Sequence, residues 1–150
     1  MKYSKEIIID APREEVISKM EDPNNFKHWQ KGFISYQHIS GKPGHNEARS
    51  KLKYKMGKRD IEMLETIEKN DLPKKLFLRY EAKGVVNIQK NYFEEVEPNS
   101  TKWISDNEFE FSGFIKIIAF LMPKSFEKQT YIYMQDFKAF VENGTSVLNN

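Results

Sequence analysis

The sequence predicts an α+β domain of seven strands paired antiparallel, with two short helices after the first strand and one long C-terminal helix across the sheet. Three observations carry this. From Glu47 to Phe111 polar and apolar residues alternate with period two, the spacing of strands that bury one face. Gly57-Lys58 and Lys83-Gly84 interrupt the alternation where tight hairpins belong, and hairpins pair neighbouring strands antiparallel. After Gly113 the period changes, and Ser125 to Glu142 carries Phe126, Tyr133, Met134, Phe137, Phe140 and Val141 at helical spacing.

Each element has its own local cause. Lys2 to Ile9 alternates as a first strand. Asp10-Ala11-Pro12 ends it, with Asp10 placed to cap a helix and Pro12 near the first turn, where a missing N–H does no harm. Glu14 and Glu15 suit that helix's positive end, and Val16, Ile17 and Met20 form its apolar side. Asp22-Pro23-Asn24-Asn25 breaks it, and Phe26 to Trp29 forms a second short helix around core side chains. Phe33 to Ser40 is the next strand, closed by the turn Gly41-Lys42-Pro43-Gly44. Glu47 to Met56, Arg59 to Lys69, Lys75 to Ala82, Val85 to Val96 and Lys102 to Phe111 follow as strands. Phe114 to Met122 is a short apolar segment, with Met122 expected in the core, and Pro123 restarts the chain. Asn143-Gly144 stops the long helix. Residues 1–143 are thus expected as one domain and residues 144–150 as a flexible tail.

Composition excludes several functions. With 39% hydrophobic residues, 11 Phe and 7 Tyr, the chain can build a core. Its 24 basic and 22 acidic residues are mixed along most segments, unlike the one-sided basic face of a nucleic-acid binder. There is no cysteine, which removes disulfides and thiolate chemistry and fits a reducing, cytoplasmic setting. Phe114 to Met122 contains Lys116 and falls short of the ~20 apolar residues that span a bilayer. His28, His38 and His45 share neither a helix face nor a short ligand spacing, so no metal is expected. Without a nucleophile elbow, a phosphate-binding loop or a dinucleotide turn, no cofactor is expected either.

Hairpin loops fix register, and register fixes faces. A two-residue loop at Gly57-Lys58 sets Tyr54 opposite Ile61, Leu52 opposite Met63 and Ser50 opposite Glu65. The apolar file of one strand then meets that of the next, except that Glu65 sits between Met63 and Ile67. The same loop length at Lys83-Gly84 pairs Tyr80 with Asn87, Leu78 with Gln89 and Leu76 with Asn91. Three amides then point inward, and Val86, Ile88 and Tyr92 point outward. Setting Phe93 against Trp103 places Asn91 by Ser105, Gln89 by Asn107 and Asn87 by Phe109. The inner wall is aromatic with a polar stripe, the composition of a ligand pocket. Two alternatives stand beside this: a bulge at Gly84 would turn Val86, Ile88 and Tyr92 inward instead, and Glu65 would serve equally as a rim residue reached by water.

The order of elements, together with Ile7-Ile8-Ile9-Asp10-Ala11-Pro12 running into Val16 and Asp22-Pro23-Asn24-Asn25-Phe26 leading to Trp29, resembles the START-like (SRPBCC) superfamily. Gly41-Lys42-Pro43-Gly44, the Leu72-Pro73 bend, Thr101-Lys102-Trp103 and the closing Phe137-Lys138-Ala139-Phe140-Val141-Glu142 add to the resemblance. This is the polyketide-cyclase and lipid-transport group, with the helix-grip fold of the birch pollen allergen. The resemblance implies a curved sheet wrapped on the C-terminal helix and a hydrophobic ligand between them. Some members are cyclases or dehydratases, others carriers or chaperone activators, so it implies a cavity and not a reaction.

The expected cavity residues are Tyr54, Glu65, Tyr80, Asn87, Asn91, Trp103, Asn107, Phe109 and Met134. The first expectation is a binding or carrier domain for a small hydrophobic or amphipathic molecule. The alternative is a cyclase- or dehydratase-like enzyme with Glu65 as acid or base. A third is a protein-interaction domain that uses Val86, Ile88 and Tyr92 as an exposed patch. In the first case Asn91 is a ligand contact, and replacing it with leucine spares the fold.

Overall fold

A computed structural model describes residues 1–149. Its strands are β1 (Lys2–Ile9), β2 (Phe33–Ser40), β3 (Arg49–Met56), β4 (Arg59–Asp71), β5 (Lys75–Ala82), β6 (Val85–Glu97) and β7 (Ser100–Phe111). They form one seven-stranded antiparallel sheet in the order β1-β7-β6-β5-β4-β3-β2. The first two strands are therefore the two edges. Register shifts in the β2–β3, β4–β5 and β6–β7 pairs are of the kind that bends a sheet.

Between the edge strands run α1 (Arg13–Glu21), a 3₁₀ turn (Pro23–Asn25) and α2 (Phe26–Trp29). Asp10 does not cap α1, contrary to the sequence-based expectation. The N-cap position falls on Pro12, two residues past Asp10, so the helix has no side-chain cap. The Asp10 backbone N–H donates instead to Glu142 Oε2 at 2.7 Å. Asp22 is the residue that caps, accepting from the Asn24 N–H at 2.9 Å to start the 3₁₀ turn.

The apolar segment after β7 is itself a helix, α3 (Phe114–Leu121). The long helix α4 (Lys124–Asn143) follows, and Gly144 closes it in the left-handed conformation. Met134, Phe137 and Val141 of α4 are buried, with Ile9, Val16, Phe26, Trp29, Leu52, Phe93 and Trp103 around them. Met122 is not in this core; it is 58% exposed, because it lies past the end of α3 with nothing packed over it. The residues after Gly144, expected as a flexible tail, make specific contacts. Ser146 is buried and bonds to His28 Nδ1 at 2.9 Å, and Val147–Asn149 forms a 3₁₀ turn.

Helix α4 is fastened to β1. The Tyr3 hydroxyl meets Thr130 Oγ1 at 2.6 Å, Lys5 pairs with Glu127 at 3.0 Å, and Lys138 Nζ donates to the Ile8 carbonyl at 2.6 Å. The helix backbone comes closest to β1, α1 and α2, with no comparable approach to β3–β6. It thus bridges one side of the sheet and leaves the inner face of the middle strands facing its side chains.

Candidate functional site

The register aligns one row of side chains across five strands. Ser50 pairs with Glu65, Glu65 with Tyr80, Tyr80 with Asn87 and Asn87 with Phe109. Both hairpins turn in two residues, Met56 opposing Arg59 and Ala82 opposing Val85, so no bulge at Gly84 reverses the faces. Gly84 makes the second turn possible. Its φ is +79°, and a Cβ there would lie 3.0 Å from the Ser112 carbonyl oxygen.

Glu65 is the carboxylate of this row. It is half-buried, and loss of hydration raises its pKa, an effect that the Tyr80 hydroxyl partly offsets by offering it a hydrogen bond. Tyr80 is pushed well above the usual tyrosine value, first by desolvation and then by the Glu65 charge. Tyr54 is raised in the same way by burial, then by Tyr133 and Glu65. Tyr80 and Tyr54 are thus both close enough to Glu65 to feel its charge, with Tyr36 next to Tyr80 and Tyr133 next to Tyr54. Tyr54 also donates to Gln30 Oε1 at 2.6 Å, and Ser50 to the Tyr36 hydroxyl at 2.8 Å. Burial thus shifts Glu65 toward its protonated form while the hydroxyl of Tyr80 opposes that shift, and the cluster presents hydrogen-bond donors to a polar group beside it.

A second set of amides adjoins the row. Trp103 Nε1 donates to Asn91 Oδ1 at 2.9 Å, and Asn91 Nδ2 donates to Gln89 Oε1 at 3.1 Å and to the Leu76 carbonyl at 3.3 Å. Asn87 Nδ2 donates to Asn107 Oδ1 at 3.2 Å, and Asn107 Nδ2 to Ser105 Oγ at 2.9 Å. Both ends of the Asn91 amide, expected to meet a ligand, are engaged by protein groups here, its oxygen by the Trp103 indole.

The structure divides the expected cavity residues into two groups. Glu65, Tyr80, Asn87 and Phe109 form the row, with Asn107 beside it, while Tyr54 belongs to the hydrophobic core. Trp103 and Met134 pack in the core against Trp29, Phe93 and Phe137. Sequence reasoning missed Tyr36, Gln30 and Tyr133, which no hairpin ties to the row. It also missed Trp29 Nε1, a buried donor with no partner among the described residues.

Other expected features lie apart. Val86, Ile88 and Tyr92 do point outward, but all three are half-buried. Tyr92 packs edge-on to Phe77, over whose ring lie Lys75 and Lys90. They do not form the exposed patch expected of an interaction face. His28 stacks on Phe140, and His38 Nε2 meets the Gly41 carbonyl at 2.7 Å. Among the described residues no three His, Cys, Asp or Glu side chains gather as a metal site, and no helix is long and apolar enough to cross a membrane.

No protein-family model matches the chain, and no curated protein matches it in sequence. Solved structures do match in fold. A conserved protein from Geobacillus kaustophilus aligns over 94% of this chain and 95% of its own, with a TM-score of 0.78 and 17% identity. The Zhui aromatase/cyclase from Streptomyces sp. R1128 aligns over 98% and 99%, with a TM-score of 0.76 and 9% identity. Ara h 8.0201 aligns over 100% and 99%, with a TM-score of 0.71 and 12% identity. At these identities the likeness is one of fold.

Proposed function

We propose, from the START-like helix-grip fold that this chain adopts, that it binds a small amphipathic molecule between the sheet and α4. The observation that carries this is the row Glu65–Tyr80–Asn87–Phe109, in which a desolvated carboxyl, a phenol and an amide share one face with an aromatic ring. A purely structural core would not keep an ionisable side chain there, since burial penalises its charged form. An amphipathic ligand explains both sides of the row. Its polar group meets Glu65, Tyr80 and Asn87, while Phe109 and the neighbouring Phe111 and Phe126, with ring centroids 4.9 to 5.7 Å apart, cover its apolar part. Native mass spectrometry of protein purified from its own host tests this. A retained small molecule is expected, and Asn87→Leu should weaken its rebinding by about 1–3 kcal/mol. A protein that holds nothing, and that does not bind an anilinonaphthalene sulfonate probe in the folded state, would refute the proposal.

One observation favours a second reading, catalysis of the cyclase or dehydratase kind. Desolvation raises the Glu65 pKa, and a carboxyl whose pKa is raised is better placed to serve as a general acid. If so, the compound retained by the Glu65→Gln protein is converted by the wild-type protein to a cyclised isomer of different chromatographic retention, or to a product lighter by one water, and stays unchanged with Glu65→Gln alone.

A further inference from the structure

Helix α3 turns an apolar face to solvent at the end of the sheet where the β3–β4 and β5–β6 hairpins lie. Phe120 is 85% exposed, Leu121 70%, Phe114 67%, Met122 58% and Ile117 56%. Single exposed apolar residues are common, but five on one short helix and its end form a patch that marks an interaction surface. The helix is nevertheless well seated. Ala119 is buried, Ile115 lies against Gly84, and the Ser112 N–H donates to the Gly84 carbonyl at 2.9 Å.

Charge indicates what covers the patch. From Ser112 to Phe126 the chain has no acidic residue, while Lys116 and Lys124 are exposed within that stretch. Lys128 follows on α4, and Lys83 stands exposed on the hairpin that seats α3. Of the nearby carboxylates, Glu127 pairs with Lys5 at 3.0 Å and Glu81 with Arg79 at 3.0 Å, which leaves exposed Glu110 against four lysines. A second copy meeting this face about a twofold axis would set lysines against lysines. An anionic lipid surface meets both features at once, since the apolar side chains enter the acyl boundary and the lysines reach the phosphates.

We propose that α3 is the docking face of this protein for the surface of an anionic bilayer. At eight residues the helix is about 12 Å long, against a hydrocarbon core of about 30 Å, so it lies in the interface and does not span it. The proposal rests on exposure and charge and is independent of the ligand proposed above, so either can fail alone.

Sedimentation with phosphatidylcholine vesicles, with and without phosphatidylglycerol, tests it. The protein should pellet with the anionic vesicles, and added salt should weaken this. Phe120→Ser with Leu121→Ser should lower the affinity at least tenfold, following the loss of buried apolar surface. Lys116→Gln and Lys124→Gln should each lower it about fivefold. All four positions are exposed, so unchanged thermal melting will show that the variants fold. Three outcomes would overturn the proposal: no pelleting with anionic vesicles, equal pelleting by the double-serine variant, or a lipid-free dimer that the double-serine variant abolishes. The last would assign the face to a second copy of the chain.

Discussion

The indole N–H of Trp103 donates to the Asn91 side-chain oxygen across 2.9 Å, and both residues are almost wholly buried. Asn91→Leu would leave that N–H without a partner in the core. A loss of about 1–3 kcal/mol is expected, read as a shift of the urea midpoint at unchanged slope. An unchanged midpoint would show that the pair contributes nothing.

Glu65 makes stability depend on pH in an unusual direction. Its folded pKa is raised by burial, so the folded state holds the proton more tightly than the unfolded chain. That contribution is fully present below the unfolded value of about 4.3 and is lost as pH rises through the folded one. Glu65→Gln should therefore gain stability relative to wild type as pH increases from about 4 to 7. Parallel melting curves for the two proteins across that range would refute this.

Glu142 works the other way. Desolvation alone would raise its pKa, but the Asp10 N–H at 2.7 Å and the Lys138 ammonium at 2.6 Å hold it below the usual value. This contribution is present above about pH 4.3 and is lost as pH falls through the lowered folded value. In Glu142→Gln the acid limb of the stability curve should become shallower, which thermal melts in a pH series will show.

Two glycines at similar φ should respond differently to alanine. At Gly144, φ +67° with nothing within 4 Å, the cost is about 1 kcal/mol of left-handed backbone strain. At Gly84 the added methyl also presses on the Ser112 carbonyl at 3.0 Å and on Ile115 at 3.2 Å. Gly84→Ala should thus be the more destabilising by denaturant titration, and an equal loss would mean that the hairpin yields freely.

The sheet was legible in the sequence because two hairpins, at Gly57-Lys58 and Lys83-Gly84, fix which residues oppose one another. The loops set Ser50 against Glu65 and Tyr80 against Asn87, and Asn87 reaches Phe109 by alternation. The link from Glu65 to Tyr80 was not legible, because the β4–β5 pair shifts register between Ile67 and Lys69. Contacts that do not run along the pairing were not legible. Asn91 lies opposite Ser105, yet its partner is Trp103, two positions along, and only side-chain geometry shows that. Asp10 resembles a cap by position, but the helix begins two residues later, with Pro12 at its N-cap. The segment Phe114 to Met122 is apolar except for Lys116, so periodicity could not say that its helix leaves most of its side chains in water.

The sheet order also dictates when the fold can close. β1 is made first and sits at an edge, and its neighbour β7 is the last strand made; the Met1 amino group binds the Phe109 carbonyl, 108 residues away. Through most of synthesis β1 must wait without a partner while β2 to β6 assemble as successive hairpins. An unpaired strand with Ile7, Ile8 and Ile9 at its end is an open invitation to another chain. Its lysines at positions 2 and 5 make that pairing less favourable, and arrival of β7, followed by α4, ends the wait.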